Sequence, residues 1–332
     1  MAETMPSDFY LEENFFNMTI NNIFVNAWQF LTHDDLIDDG ITPFDFLKDS
    51  IDESLLIVKN NNNIKCFSNV CTHRGNILCN KNTDAKIIKC SYHGRTFDLN
   101  GKFKSMPGFK EVQNFPSSSD NLKEMKINNW NKFIFGSIGK GIEINGILND
   151  ISNRLVEYPL NKLHFDKSKS TEYILDFHWA LYCENYLEGF HIPYVHKGLK
   201  SDINFDSYKT EIIKNGVLQY TLENNRKNIY AYYYWIFPNM MFNFYDWGLS
   251  INIIEPIARE KTRIRFLSFP IKGKTQPINT ESSLEKVESE DQLIVKKVQK
   301  GIKSRFYNRG RYSVKHEKGV HYFHRLLAEH LN

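Results

Sequence analysis

A chain of 332 residues with 41% apolar and 24% charged side chains has the composition of a globular protein of about two domains, at roughly 150 residues each. The formal net charge of +3 is spread without a basic block, so neither nucleic acid nor an acidic membrane surface is implied as a partner. No apolar stretch is long enough to span a bilayer, and Met1–Pro6 carries no basic, apolar or twin-arginine signal; a cytoplasmic location is expected.

Residues 1–22 read as a lead-in. From 23 to 138 short β-type runs alternate with turn signals: Leu55–Val58, Ile64–Phe67, Ala85–Lys89 and Lys132–Phe135, with Asn100-Gly101 as a hairpin signal between Phe97 and Phe103. The expectation is a small all-β domain. Four glycines between 136 and 146 mark a boundary. Residues 147–332 combine a helical stretch (Phe177–Leu187), strands (Gly216–Leu222, Ile229–Trp235, Leu249–Glu255, Thr262–Phe269) and two late helices. That mixture predicts an α+β domain with an antiparallel sheet and helices on one face.

Two loops of the β domain carry chemistry. Cys71-Thr72-His73-Arg74-Gly75 and Cys90-Ser91-Tyr92-His93-Gly94 give Cys-x-His, sixteen residues, then Cys-x-x-His. Thiolate and imidazole suit zinc or an iron–sulfur cluster. A structural zinc finger usually pairs two Cys in one loop and two His in the other. Here each loop carries one of each, so the ligands split into a two-Cys half and a two-His half, as in a Rieske [2Fe–2S] centre. The five cysteines give no disulfide framework, and Cys66 and Cys183 read as buried small hydrophobes.

The second domain contains Glu184-Asn185-Tyr186-Leu187-Glu188-Gly189-Phe190-His191-Ile192-Pro193-Tyr194-Val195-His196. Glu184, Glu188 and His191 would share a helix face. His196 would diverge from His191 by about 140° on an ideal helix, but Pro193 forces a bend or an end, so that both can face one ion. Two His need a carboxylate to complete a facial triad for Fe(II). Leu284, Val287, Ile294, Val298 and Ile302 form an apolar stripe at helical spacing, and Asp291 falls inside it. A buried Asp is costly unless paired or bound to metal, which nominates His191, His196 and Asp291 as a metal triad. Glu288 and Glu290 read as solvated edge residues.

With both constellations placed, the chain resembles the α subunit of Rieske non-haem iron oxygenases over nearly its whole length. The closing Gly310-Arg311-Tyr312-Ser313…His321-Tyr322-Phe323-His324 looks like the choline, glycine betaine and carnitine monooxygenase branch. The resemblance implies a Rieske domain followed by a helix-grip, START-like catalytic domain. It also implies one [2Fe–2S] cluster on Cys71, His73, Cys90 and His93, one mononuclear Fe(II), and O2 as co-substrate. A head-to-tail homotrimer and an NAD(P)H-dependent reductase, with or without a ferredoxin, belong to the same pattern. Glu188 would then bridge electrons from His93 of a neighbouring copy to the iron; most members have Asp there. Arg95 departs from the Trp that many members have, Asn76 and Tyr92 stand where high-potential Rieske proteins carry a disulfide, and His321 and His324 read as structural.

The implied activity is hydroxylation of a small organic substrate, with a quaternary ammonium compound as the candidate, by mono-oxygenation or N-demethylation. An arene-dihydroxylating dioxygenase, with or without a β subunit, is the alternative; a pure Rieske electron carrier fits less well, since a carrier needs no second metal triad. Residues 229–247 are rich in aromatics, and Tyr234, Trp235, Phe242, Phe244 and Trp247 are the candidate pocket wall, although aromatics also suit any sheet core.

Overall fold

The computed structural model describes residues 2–61, 63–198, 203–223, 229–275 and 283–331. It divides into two compact units, Gln29–Gly141 and Met1–Trp28 with Ile142–Asn332.

The first unit is all β. Strands β1 (Gln29–His33), β2 (Gly40–Phe46), β3 (Glu53–Asn60) and β4 (Asn63–Ser68) precede three short ones, β5 (Ile88–Lys89), β6 (Thr96–Phe97) and β7 (Phe103–Ser105). Strands β8 (Glu124–Trp130) and β9 (Phe133–Ser137) follow. Six form an antiparallel sheet in the order β1-β9-β8-β4-β3-β2, while β5-β6-β7 form a separate small sheet. The hairpin expected at Asn100-Gly101 joins β6 to β7, and Asp98 caps it by accepting from the Asn100 and Lys102 amides. Leu56, Phe67, Ile88 and Phe97 pack with Cys71 and Cys90 in one buried cluster. Burial of each large side chain contributes about 1.5–3 kcal/mol, so the core itself anchors the first residue of both ligand loops.

The second unit begins with α1 (Ser7–Leu11), α2 (Glu13–Thr19) and a π-helical turn at Ile20–Phe24, then resumes with α3 (Asn145–Arg154). Its strands are β10 (Asp166–Leu175), β11 (Ile203–Ile213), β12 (Gly216–Glu223), β13 (Ile229–Ile236), β14 (Met240–Phe244), β15 (Gly248–Ala258) and β16 (Lys261–Pro270). They form one antiparallel sheet in the order β10-β16-β15-β14-β13-β12-β11. Helices α4 (Trp179–Tyr186) and α5 (Ile192–Val195) lie between β10 and β11; α6 (Leu284–Gly301) and α7 (Lys318–Leu331) close the chain.

Residues 1–22 are thus no mere lead-in. Phe9 and Phe24 are fully buried, the first edge-on to His178 and the second to Trp179. The first unit spans 29–141 where 23–138 was expected, because Ile23 and Phe24 belong to the core of the second. Two helical expectations also shift. Helix α4 ends at Tyr186, so Glu184 and Glu188 do not share a face, and Pro193 starts α5 rather than ending α4. On α6 the buried residues are Asp291, Val295 and Gln299, whereas Val298 is 43% exposed.

Candidate metal centres and substrate cavity

The two loops of the first unit are built alike. In one, the Cys71 amide donates to the Asn76 carbonyl at 2.8 Å and the Gly75 amide returns to the Cys71 carbonyl at 3.0 Å. In the other, the Cys90 amide donates to Arg95 at 2.8 Å and Gly94 returns to Cys90 at 3.1 Å. Each glycine sits in the left-handed region, φ +71° at Gly75 and +73° at Gly94, which turns the loop back on itself at little steric cost. Both sulfurs are buried and both imidazoles half-buried, with the two rings 4.9 Å apart between centroids. Burial pushes the Cys71 thiol up. Burial also opposes ionisation of Cys90, but the Tyr92 amide, the Cys71 thiol, the His93 amide and the Asn76 side chain outweigh it and bring that thiol below its ordinary value. The Nδ1 atom of His93 is buried without a hydrogen-bond partner among the described residues. A metal would satisfy that nitrogen, so the donor set of two thiols and two imidazoles fits a [2Fe–2S] cluster.

Arg95, missed as a structural residue by the sequence reading, ties these loops down. It is 2% exposed, lies within 6 Å of the Phe97, Phe103 and Phe115 rings, and pairs with Asp120 at 2.7 Å. The Asp120 carbonyl also accepts from Thr72, inside the first ligand loop, at 2.8 Å.

In the second unit His191, His196 and Asp291 present one ligand atom each, all within 4.8 Å of one another. The two Nε2 atoms are 3.2 Å apart, and Asp291 Oδ1 lies 3.4 Å from His191 Nε2 and 3.0 Å from His196 Nε2. The non-helical stretch 187–191 between α4 and α5 lets them converge. The far nitrogen of each ring is held by a carboxylate: His191 Nδ1 by Glu188 at 2.6 Å and His196 Nδ1 by Glu290 at 2.8 Å. The Asn185 amide donates to Asp291 Oδ1 at 2.7 Å. Burial disfavours charge on His191, but Asp291 and Glu188 outweigh it and push its pKa up to about 9; on His196 burial is outweighed by Asp291 and Glu290, which raise it. Burial would raise Asp291, yet the two imidazoles hold it down at about 2. Two imidazoles fixed by outer carboxylates, plus one carboxylate, fit a mononuclear iron. Glu290, read from the sequence as solvated, is part of that outer support.

A cavity of about 110 Å³ opens onto this triad, walled by Tyr186, Tyr208, Tyr233 and Tyr245 together with Gln219, Asn243 and Glu288. The aromatic wall is therefore not the expected one. Alternation along β13 and β14 places Tyr233 opposite Asn243 on the cavity face, while Tyr234 and Phe242 pair on the reverse. Tyr234 donates to Asp150 on α3, and Phe244 packs edge-on against Tyr158. Trp235 shares the cavity face by parity but packs on Phe323 of α7, and Trp247 stacks on Tyr245 instead of lining the space. Glu288 is a second surprise: its carboxylate accepts from the Tyr182 hydroxyl and the Asn252 amide. Its pKa is pushed up to about 8, by burial first and by Asp291 second.

Cys66 and Cys183 are buried and unpaired as thiols. His324 is buried between Tyr312 and Glu184, and Glu184 in turn accepts from Tyr10. Among the described residues no helix is long and apolar enough to cross a membrane.

Residues 28–116 match the Rieske [2Fe-2S] domain, and residues 160–332 match the ring hydroxylating alpha subunit (catalytic domain). The chain is 28% identical to the chloroplastic choline monooxygenase of Arabidopsis thaliana over 360 residues, covering 99% of this chain and 83% of the relative. It is 25% identical to the carnitine monooxygenase oxygenase subunit of Escherichia coli (strain K12), covering 99% and 94%. The fold matches the quaternary ammonium Rieske monooxygenase CntA, in its complex with L-carnitine, with a TM-score of 0.77 at 22% identity over 99% and 96% of the two chains. It also matches naphthalene 1,2-dioxygenase, with a TM-score of 0.73 at 17% identity over 99% and 92%. With a Rieske domain match and a catalytic-domain match over more than half its length, the chain belongs to the Rieske non-haem iron oxygenases and is an enzyme of the ring-hydroxylating α-subunit family.

Proposed function

We propose that this oxygenase hydroxylates a small quaternary ammonium compound, either stopping at the alcohol or attacking an N-methyl carbon so that demethylation follows. The observation that carries this reading is the cavity itself, in which tyrosine rings stand beside His191, His196 and Asp291. Aromatic faces attract quaternary ammonium groups, by about 0.5–2 kcal/mol per ring depending on solvation. The relatives named for choline and carnitine act on compounds of that class.

When bound, the cluster supplies single electrons and the mononuclear iron supplies O2 activation beside the substrate. The chain's own residues set the stage. Glu188 and Glu290 hold the Nδ1 protons of His191 and His196, which leaves each Nε2 lone pair aimed at the shared point. Asn185 fixes the Asp291 carboxylate against the same point. The tyrosine wall orients the ammonium group and limits water at the reacting carbon.

The partners follow the same reading: a head-to-tail homotrimer, with electrons delivered by an NAD(P)H-dependent reductase directly or through a ferredoxin. In such a trimer Glu188, which already holds His191, would also meet His93 of the adjoining copy. Product analysis after reduction in air, with a panel of quaternary amines and arenes, tests the substrate class. Formaldehyde or an amino-alcohol product is expected. A cis-diol from an arene with no turnover of any ammonium compound would overturn it.

A further inference from the structure

Two polar groups in the cavity have no task in holding the metal. Glu288 stands one helical turn before Asp291 on α6, and among the described residues its partners are neutral donors, the Tyr182 hydroxyl and the Asn252 amide at 3.2 Å. Among the described residues no lysine or arginine lines the cavity. Gln219, on β12, is 1% exposed. Its Nε2 donates to the Tyr186 carbonyl at 2.7 Å, which fixes the amide, because the flipped arrangement would set oxygen against oxygen. Its Oε1 is then a buried acceptor with no partner among the described residues.

An unsatisfied buried acceptor is costly. Burial and the neighbouring Asp291 hold Glu288 towards its neutral acid, and a cation beside it would favour the carboxylate instead. One ligand relieves both: a positive charge for Glu288 and a hydroxyl donor for Gln219. A ligand carrying its own carboxylate meets three acidic residues, Glu188, Glu288 and Asp291, and among the described residues no lysine or arginine to receive it.

We infer that Glu288 and Gln219 make this cavity select a small ammonium cation bearing a hydroxyl group and reject zwitterions that carry a carboxylate. The inference rests on the quaternary ammonium reading above and narrows it. Choline has the required chemistry; carnitine and glycine betaine do not.

The test is calorimetric binding to the intact, metal-loaded protein, reduced and kept free of O2 so that no turnover occurs. The ligands are choline, tetramethylammonium, glycine betaine, L-carnitine, 3,3-dimethylbutan-1-ol as the uncharged isostere of choline, and naphthalene as an arene. Choline should bind at least about tenfold tighter than each of the others, the scale of one charge-assisted contact. Glu288→Gln keeps the neighbouring hydrogen bonds, so it should weaken choline at least about tenfold while leaving the uncharged isostere unchanged, which reports an intact cavity. Gln219→Met should erase the preference for choline over tetramethylammonium. Equal binding of choline and the zwitterions, or full choline affinity in Glu288→Gln, would overturn the inference while leaving the quaternary ammonium reading standing. If no ammonium compound binds and an arene does, both fall.

Discussion

Asp120 and Arg95 form a pair whose two halves should respond unequally to removal. Arg95 is 2% exposed and has its guanidinium among three phenylalanine rings, with Asp120 as its counter-charge at 2.7 Å. Asp120→Ala strands that cation, and removing one partner of a buried ion pair costs about 3–5 kcal/mol. Arg95→Met instead leaves a flexible apolar chain among the rings, and Asp120 keeps its bonds to the Ser117 amide and hydroxyl. That change should cost only about 1–2 kcal/mol. The double variant should then resemble Arg95→Met alone, a coupling of about 3–5 kcal/mol, the whole cost of Asp120→Ala. Urea unfolding followed through the visible absorption of the cluster is the assay, since Arg95 and Thr72 join both ligand loops to Asp120. The Ser117 amide, against burial and with help from Arg95, holds the Asp120 carboxyl below its ordinary value. Its stabilisation is therefore complete above about pH 3.8 and is lost as pH falls through the lower folded value. Additive single-site costs, with no coupling beyond about 0.5 kcal/mol, would refute the reasoning.

His191→Ala should lower the metal content from about three irons per chain to about two and leave the visible spectrum of the cluster intact; a bleached cluster would place that His elsewhere. Glu290→Gln should weaken iron binding at the triad by about 10–100-fold, read by chelator competition, because His196 loses the carboxylate that orients it. His178 is fully buried and neutral, its pKa pushed down to about 3 by burial and then by Arg259. Its unfolded form binds a proton below about pH 6.5 and the folded form does not, so stability should fall by about 1.4 kcal/mol per pH unit between 6.5 and 3. His178→Gln should flatten that slope in unfolding titrations. At Gly189 an added Cβ would stand 2.5 Å from the Tyr208 ring. Gly189→Ala should therefore cost about 1–3 kcal/mol and weaken ligand binding, while the cluster spectrum stays unchanged.

The ligand sets were legible because their spacing is local. The cluster ligands lie in two short loops, and His191 and His196 lie five residues apart. Asp291 was found from a stripe that is only partly real: the buried side of α6 carries Val295 and Gln299, not Val298. An Asp in any largely apolar stripe is conspicuous, so the error in the stripe did not matter. The cavity wall was not legible. Strand β13 is aromatic on both faces, and which face meets the cavity depends on where α4 and α6 lie, which no alternation within the strand encodes. Glu288 and Glu290 looked like solvated edges because helical position alone does not reveal a partner from another element, here Tyr182 for one and His196 for the other. The N-terminal helices were overlooked although Phe9, Phe15 and Phe16 fall close together in a short stretch, a signal of burial that composition could have raised.

The path of the chain into and out of the first unit has a practical meaning. The Asn26 carbonyl accepts from the Ile142 amide at 2.7 Å, so the residues that flank the insert touch one another within the second unit. Residues 29–141 thus form a cassette spliced into a continuous frame, with donor and acceptor ends already side by side. Joining Trp28 to Ile142 through a short glycine bridge would leave the metal triad, its outer carboxylates and the tyrosine cavity with every partner described above. The electron store is removable from the gene as a single block, and the catalytic frame is interrupted at one place only.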